Sequence, residues 1–333
     1  MQEFTISKNE ADLRFDKYLA KLLNKAPQSV IQKNLRKKNI LLNGKKADGN
    51  VKTQLGDRVQ IYMKDETIAM FREGNSSVGE NGCKTPASAA TADGHRRSRA
   101  VPIPKVPILY EDEHVLVLNK PAGLLSQKAK PADISVVDFV LEHYAKKPHD
   151  PAELFTPGIC NRLDRNTDGL MLAGLSLPGL QELNRIVKDR SLQKYYLCVV
   201  EGSVTKPGML KGFLRKDVKT NIVTVSDDPD LGDAIETEYE PLSVNDHYSL
   251  LKVHLITGKT HQIRAHLASI GHPLVGDTKY NKQAKKHGRP LLHSWQMHFP
   301  QMQGTLAYLS GRVFEAPVPE DIKSFLQEEN LHI

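Results

Sequence analysis

The residues best able to do chemistry lie in one polar loop. Cys160-Asn161-Arg162-Leu163-Asp164-Arg165-Asn166-Thr167-Asp168-Gly169 runs straight into Leu170-Met171-Leu172-Ala173. Asp164 stands between Arg162 and Arg165, and a carboxylate close to a guanidinium has its charged form favoured. An ionised carboxylate can attack an electrophile, so the pattern points to covalent catalysis from a loop. The same spacing also fits a solvated turn whose charges satisfy one another. His261, His266 and His272 invite a metal reading. His261 and His266, however, are five residues apart rather than the four that puts two ligands on one helical face, and no Glu separates them as in a zinc hydrolase. No metal site is predicted. Cys83, Cys160 and Cys198 are odd in number, widely spaced and without a Cys-x-x-Cys pair, so neither a disulfide framework nor a zinc knuckle is suggested.

Several elements must hold that loop. A run such as Leu170 to Ala173 asks for burial on both faces, so the loop before it sits at the rim of a sheet. Ile108 to Tyr110 and Val115 to Leu118 read as short strands around the acidic turn Glu111-Asp112-Glu113, with Asn119-Lys120-Pro121-Ala122-Gly123 as a second turn. Ser176 is placed to cap a helix carrying Leu180, Leu183 and Val187. Gln193 to Val200, with Lys194, Tyr195 and Tyr196, has the aromatic and β-branched content of a strand. Lys211, Arg215, Lys216 and Lys219 fall in a basic stretch that extends the sheet, and Asp227 to Asp233 makes an acidic turn. Leu250 to Ile256 is a further strand. Thr257-Gly258-Lys259 then leads into a helix from Thr260 to Leu267, with Ile263, Leu267 and Ile270 as its buried stripe and Gly271 as its end. Arg264 is one step round from that stripe, where it leans over the sheet edge. Glu320 to Leu331 forms a terminal helix.

The amino-terminal part has a different texture. Phe15, Tyr18, Leu19, Leu22 and Leu23 recur at helical spacing opposite Arg14, Lys17 and Lys21. After Pro27, Ser29 is the expected N-cap of a second helix. Val30, Ile31 and Leu35 point inward there, while Lys33, Arg36, Lys37 and Lys38 gather outside. Ile40-Leu41-Leu42 before Asn43-Gly44 reads as a strand entering a tight turn, and Val59 to Tyr62 as another strand. Residues 66–103 are poor in large apolar side chains and are expected to be a flexible linker, with Arg96, Arg97 and Arg99 able to touch phosphates.

The 333 residues carry a net charge of +7. Residues 1–64 hold 14 Lys and Arg against 6 Asp and Glu, so the rest of the chain balances to within one charge. Basic charge gathered at one end is the footprint of a polyanion-binding module. No apolar run reaches the length of a membrane span, and Met1 to Lys8 lacks the order of a signal peptide. A soluble, cytoplasmic, monomeric protein is expected, with no membrane partner.

The loop resembles the catalytic loop of the RluA-type pseudouridine synthases, His-Arg-Leu-Asp, two residues, then Thr-Ser-Gly-Leu-Leu. Asn161 replaces the usual His and Asp168 the usual Ser or Thr. Tyr110-Glu111-Asp112 with Asn119 to Gly123 resembles that family's first motif, followed here by Leu125-Ser126-Gln127 where Val-His is common. Thr257 to His266 resembles its third, with Lys259 for the first Arg, and Gly276 to Tyr280 and Leu291 to His293 are close to family turns. Residues 12–63 resemble the αL-type RNA-binding module named after ribosomal protein S-four.

The resemblance implies an α+β protein with three parts: an RNA-binding domain over 1–65, a linker over 66–103 and a catalytic domain over 104–333 with a mixed, mainly antiparallel sheet and central cleft. It implies isomerisation of uridine to pseudouridine in RNA without cofactor or metal. Asp164 is then the catalytic aspartate, Tyr196 the ring that stacks on the base, and Arg264 the partner of Asp164. Arg162, Leu163, Lys194, His261 and Ile263 would bind the substrate nucleotide. Lys33, Arg36, Lys37 and Lys38 would lie on RNA. The accompanying basic module favours large-subunit ribosomal RNA, free or in a precursor particle. Transfer RNA as substrate, or a non-catalytic role in ribosome assembly, are the alternatives.

Overall fold

A computed structural model describes residues 1–7, 9–72, 102–148, 154–217, 220, 222–281 and 288–333. They fall into two compact units, one within Met1–Pro102 and Lys147–Thr156, the other within Ile103–Lys146 and Pro157–Ile333.

The first unit packs helices on a small sheet. Strand β1 (Gln2–Thr5) is followed by α1 (Phe15–Leu22), α2 (Gln28–Arg36), β2 (Ile40–Leu42), β3 (Arg58–Ile61) and α3 (Asp65–Arg72). The strands pair antiparallel in the order β1-β3-β2, with Ile61 opposite both Gln2 and Ile40. Phe15, Tyr18, Leu19, Ile31, Leu35, Val59, Ile61 and Ile68 are buried together beneath the helices. Asn43 and Gly44 both have positive φ, as a tight primed turn requires, and the turn closes on a bridge between Leu42 and Lys45. Two expectations are corrected here. The cap of α2 is Pro27, and Ser29 lies inside the first turn. The stretch read as linker begins with α3, because Ile68 is apolar enough to join the core; residues 73–101, with Arg96, Arg97 and Arg99, lie outside the described residues, as does Lys219.

The second unit is built on one large sheet. Its elements are β4 (Ile108–Glu111), β5 (Val115–Lys120), α4 (Val136–Ala145), β6 (Gly158–Ile159), β7 (Asp168–Gly174), α5 (Leu177–Lys188), β8 (Gln193–Glu201), β9 (Gly208–Lys216), β10 (Val223–Ser226), β11 (Asp233–Val244), β12 (Tyr248–Leu255), α6 (Gln262–Ser269), β13 (Leu292–His298), β14 (Val313–Glu315) and α7 (Glu320–Glu328). The strand order is β10-β9-β11-β12-β8-β13-β7-β5-β4, with β14 on β13 and β6 on β7. Every pairing is antiparallel except β13 with β7, so the sheet is mixed and mainly antiparallel.

Strand β7 is buried along its whole length. Met171 and Ala173 pack on one face with Tyr196, Cys198, Leu251, Val253, Ile263 and Leu267, beneath α4 and α6. Leu170 and Leu172 pack on the other face with Leu183, Ile186 and Met297, beneath α5. Farther along that face, Ile322, Phe325 and Leu326 of α7 cover Leu197, Val199 and Leu250. Ser176 caps α5, its Oγ accepting the N–H of Gly179 at 3.2 Å. Among the described residues no helix is long and apolar enough to cross a membrane.

Candidate active site

A cleft of about 1210 Å³ opens in the second unit between the loop before β7, strand β8 and the start of α6. Arg162, Leu163, Asp164, Lys194, Tyr196, His261, Ile263 and Arg264 all line it. Residues a hundred positions apart in sequence are therefore assembled by the sheet.

Asp164 projects from the loop with 28% of its side chain exposed. Its Oδ2 accepts from Nη1 of Arg264 at 3.3 Å, and Nε2 of His261 stands 3.7 Å from the same oxygen. Among the described residues no donor reaches Oδ1, so the carboxylate has one held oxygen and one open to the cleft. The neighbours in sequence do not do this work. Arg162 and Arg165 are exposed and form no ion pair with Asp164 among the described residues. The guanidinium beside Asp164 comes from α6 instead.

Arg264 is itself held by a carboxylate that sequence reading missed. Its Nε and Nη2 donate to Oδ2 and Oδ1 of Asp277 at 2.7 and 2.8 Å, a two-pronged pair in which Asp277 is fully buried. The fork leaves Nη1 for Asp164. Although burial opposes charge on Arg264, Asp277 and then Asp164 raise its pKa overall. Gly276-Asp277 looked only like a turn, since nothing in local spacing links it to position 264.

His261 occupies the N-cap of α6 with φ of 53°, so the helix begins at Gln262 and not at Thr260. Left-handed backbone costs a non-glycine residue of order 1 kcal/mol or more, tolerated where the surroundings fix it. Its Nδ1 lies 2.9 Å from the hydroxyl of Tyr280. Burial, with Arg264 and Lys279 adding repulsion against the pull of Asp164 and Asp277, lowers the imidazole to about 4. The ring is neutral at physiological pH.

Tyr196 is 5% exposed and packs in the core while lining the cleft. Burial pushes its phenol up to about 12, and its hydroxyl is in hydrogen-bond contact with Ser294. Lys194, two residues earlier on the same face of β8, is also buried, and burial with the nearby Arg190 pulls its pKa down. Tyr195 turns to the opposite face, where it stacks on His254.

Three tethers fix the loop. Ser126 grips Leu163 from both sides, donating to its carbonyl at 2.7 Å and accepting its N–H at 2.9 Å. Lys120 is fully buried and donates from Nζ to the carbonyls of Pro121, Leu124 and Arg165 at 3.0, 2.8 and 2.9 Å. Burial lowers it to about 8, so at pH 7 the ammonium keeps the three protons these acceptors use. Asn161 accepts the N–H of Leu172 at 2.8 Å and donates to the carbonyl of Leu170 at 3.2 Å, acting as an extra backbone unit along β7. Asp168 is no partner to Asp164. It pairs with Nη2 of Arg289 at 3.0 Å and lies 3.0 Å from Nδ1 of His293, while Arg289 also binds Asp321 of α7. Leu291 to His293, read as a turn, instead leads into β13, a central strand.

Among the described residues no group of three His, Cys, Asp or Glu is placed to hold a metal ion. His266 points away from the cleft lining and meets Thr237 Oγ1 at 2.9 Å.

A family model described as RNA pseudouridylate synthase matches residues 114–269, which include the loop, β8 and α6. An uncharacterised RNA pseudouridine synthase of Mycoplasma genitalium is 30% identical over 311 residues, covering 90% of each chain. The ribosomal large subunit pseudouridine synthase C of Escherichia coli is 30% identical over 344 residues, covering 97% of this chain and 95% of its own. In structure, human RNA pseudouridylate synthase domain containing 4 is similar with a TM-score of 0.57 at 19% identity, over 68% of this chain and 94% of that one. That likeness supports the sheet and cleft, and the sequence identity along nearly the whole length decides the lineage: the chain belongs to the RluA-type family of RNA pseudouridine synthases.

Proposed function

We propose that this protein isomerises specific uridines of large-subunit ribosomal RNA to pseudouridine, with Asp164 as the catalytic carboxylate. The observation that carries the assignment is the chain from Asp277 through Arg264 to Oδ2 of Asp164, which leaves Oδ1 free at the cleft surface. The ribosomal substrate is supported by the names of similar proteins, large subunit pseudouridine synthases C and D from several bacteria.

The reaction breaks the bond between C1′ and N1, turns the uracil and joins C1′ to C5; the proton on C5 leaves and N1 takes one up. None of this is possible in a stacked helix, so the nucleotide must leave it at a cost of roughly a few kcal/mol. Tyr196 lines the cleft, and stacking of the extruded base on its ring would offset part of that cost. Asp164 attacks through Oδ1, either at the ribose or at the base, while Arg264 neutralises the charge on Oδ2. Leu163 and Ile263 give the base an apolar seat, and Lys194 offers a single cation inside it. Arg162, Arg165, Lys188, Arg190, Lys194 and Lys216 line the cleft without ion pairs among the described residues, an arrangement suited to phosphates of the flanking strand.

The first unit acts as an RNA-binding module of the ribosomal-protein-S-four type. Lys33, Arg36, Lys37 and Lys38 are all exposed along and just beyond α2, and its opposite side is buried. Work on ribosomal RNA places the protein in the cytoplasm.

The test is carbodiimide mapping of unmodified ribosomal and transfer RNA transcripts after incubation with the wild type and with Asp164→Asn. New sites in ribosomal RNA that vanish with the variant are expected. Turnover by Asp164→Asn would remove Asp164 from its role, and modification confined to transfer RNA would overturn the substrate.

A further inference from the structure

The hydroxyl of Tyr280 sits between two elements. It accepts the backbone N–H of Val223, the first residue of β10, at 3.0 Å, and lies 2.9 Å from Nδ1 of His261 at the start of α6. The Tyr280 ring meets the His261 ring edge-on at a centroid distance of 5.7 Å, and the Arg264 guanidinium lies 5.2 Å from its centroid. Tyr280 thus touches both side chains that face Oδ2 of Asp164.

The hydrogen bonds allow two arrangements. If His261 carried its proton on Nδ1, both Val223 and His261 would donate to the phenol oxygen. The phenolic proton would then lack an acceptor among the described residues, and a bare Nε2 lone pair would face the carboxylate 3.7 Å away. If the phenol donates to Nδ1, every proton has a place: the backbone N–H on the phenol oxygen, the phenolic proton on Nδ1, and an N–H on Nε2 directed at Asp164. Burial keeps Tyr280 protonated, so it retains that proton to give.

We propose that Tyr280 is a positioning residue that locks His261 in the tautomer with its proton on Nε2, making His261 the second donor to the held oxygen of Asp164. This rests on the assignment of Asp164 above. The distance of 3.7 Å is long for a hydrogen bond, and the donor closes on the carboxylate when the flipped nucleotide excludes water from the cleft. Two donors on Oδ2 would then direct attack through Oδ1. Every charged or titratable group named for His261 belongs to this cluster: Asp164 on the loop, Arg264 on α6, and Asp277, Lys279 and Tyr280 on the segment after α6.

The tautomer is read directly from long-range ¹⁵N correlation spectra of the free protein, in which the two ring nitrogens of His261 have distinct shifts. The wild type should show a protonated Nε2 and an accepting Nδ1 at pH 7. Tyr280→Phe keeps both ring contacts and removes only the hydroxyl. It should mix the two tautomers and lower kcat about tenfold, the effect of one hydrogen bond of ordinary strength, with KM within about twofold of wild type. The freed Nδ1 also takes a proton more readily, so the acidic limb of the kcat profile should move to higher pH. A merely structural role for Tyr280 would leave that limb in place. A proton on Nδ1 in the wild type, or unchanged tautomer and pH limb in the folded variant, would overturn the proposal. Because the spectra are taken without RNA, that result is separate from the fate of Asp164→Asn.

Discussion

At the scale of single residues, the site depends on a shape that only arginine has. Arg264 binds Asp277 with two nitrogens and Asp164 with a third, and a lysine ammonium cannot meet both carboxylates at those angles. Arg264→Lys is therefore expected to lower kcat about a hundredfold with little change in RNA affinity, as single-turnover rates and filter binding would show. Asp277→Ala does more damage to the fold, because it leaves a buried guanidinium without its main partner. A loss of about 3–5 kcal/mol in urea unfolding is expected. Two histidines add an acid limit. Burial lowers both His261 and His266 to about 4, and His266 Nε2 is buried without a hydrogen-bond partner. Between pH 6.5 and 4 the unfolded chain therefore binds protons that the folded chain refuses. Stability is fully present above that window and falls as the pH drops through it, by up to about 1.4 kcal/mol per pH unit for each fully shifted histidine. His266→Leu should flatten the decline in urea midpoint between pH 7 and 5; an unchanged slope would mean that His266 takes up its proton as readily in the folded chain as in the unfolded one.

At the scale of elements, the catalytic loop is rigid because its two ends are tied to different strands. Lys120 at the end of β5 binds the Arg165 carbonyl, and Gly169 lets β7 pass hard against β13. A Cβ at Gly169 would stand 2.2 Å from the Ser294 carbonyl oxygen, and its φ of 107° is one that other residues rarely adopt. Gly169→Ala should thus push β7 from β13 and lose activity and stability together, whereas Lys120→Met should keep the strands and loosen only the loop. The second variant is expected to lose kcat about a hundredfold from misplacement of Asp164, with hydrogen exchange faster only around residues 163–167. What was legible in the sequence follows the same division. Leu170 to Ala173, the Ser176 cap, and Ile263 and Leu267 of α6 carry periodic or capping signals and lie where those signals put them, whereas Ile270, expected in the same buried stripe, stands past the end of the helix and is exposed. Strand β13 carries none: His293, Ser294 and Gln296 break its apolar run, and it is a strand because β7 and β8 leave a gap between them. Asp277 and Tyr280 were hidden for another reason. Their partners are Arg264 and His261, and contacts across such a span are fixed by the path of the chain after α6, which no local pattern encodes.

At the scale of the whole molecule, charge is divided between the two units in a way that separates affinity from chemistry. The first 64 residues carry more than the whole net positive charge, +8 against +7 for the chain, and four of those cations stand exposed on and beside α2. In the second unit two of the cations lining the cleft are committed to carboxylates, Arg264 to Asp164 and Asp277 and Arg289 to Asp168 and Asp321. Replacing Lys33, Arg36, Lys37 and Lys38 together by Ala should weaken binding and reduce the slope of log affinity against log salt concentration. Each lost phosphate contact is worth about 0.7 in that slope on single strands and 0.9 on duplex, so four contacts would account for a change of about 3 to 4. The rate of pseudouridine formation at saturating RNA should stay within about twofold of wild type, because none of the four lines the cleft. A variant with the wild-type salt slope would show that α2 does not meet the backbone. One with a normal slope change but a collapsed saturating rate would show that the first unit orients the target uridine as well as holding the RNA.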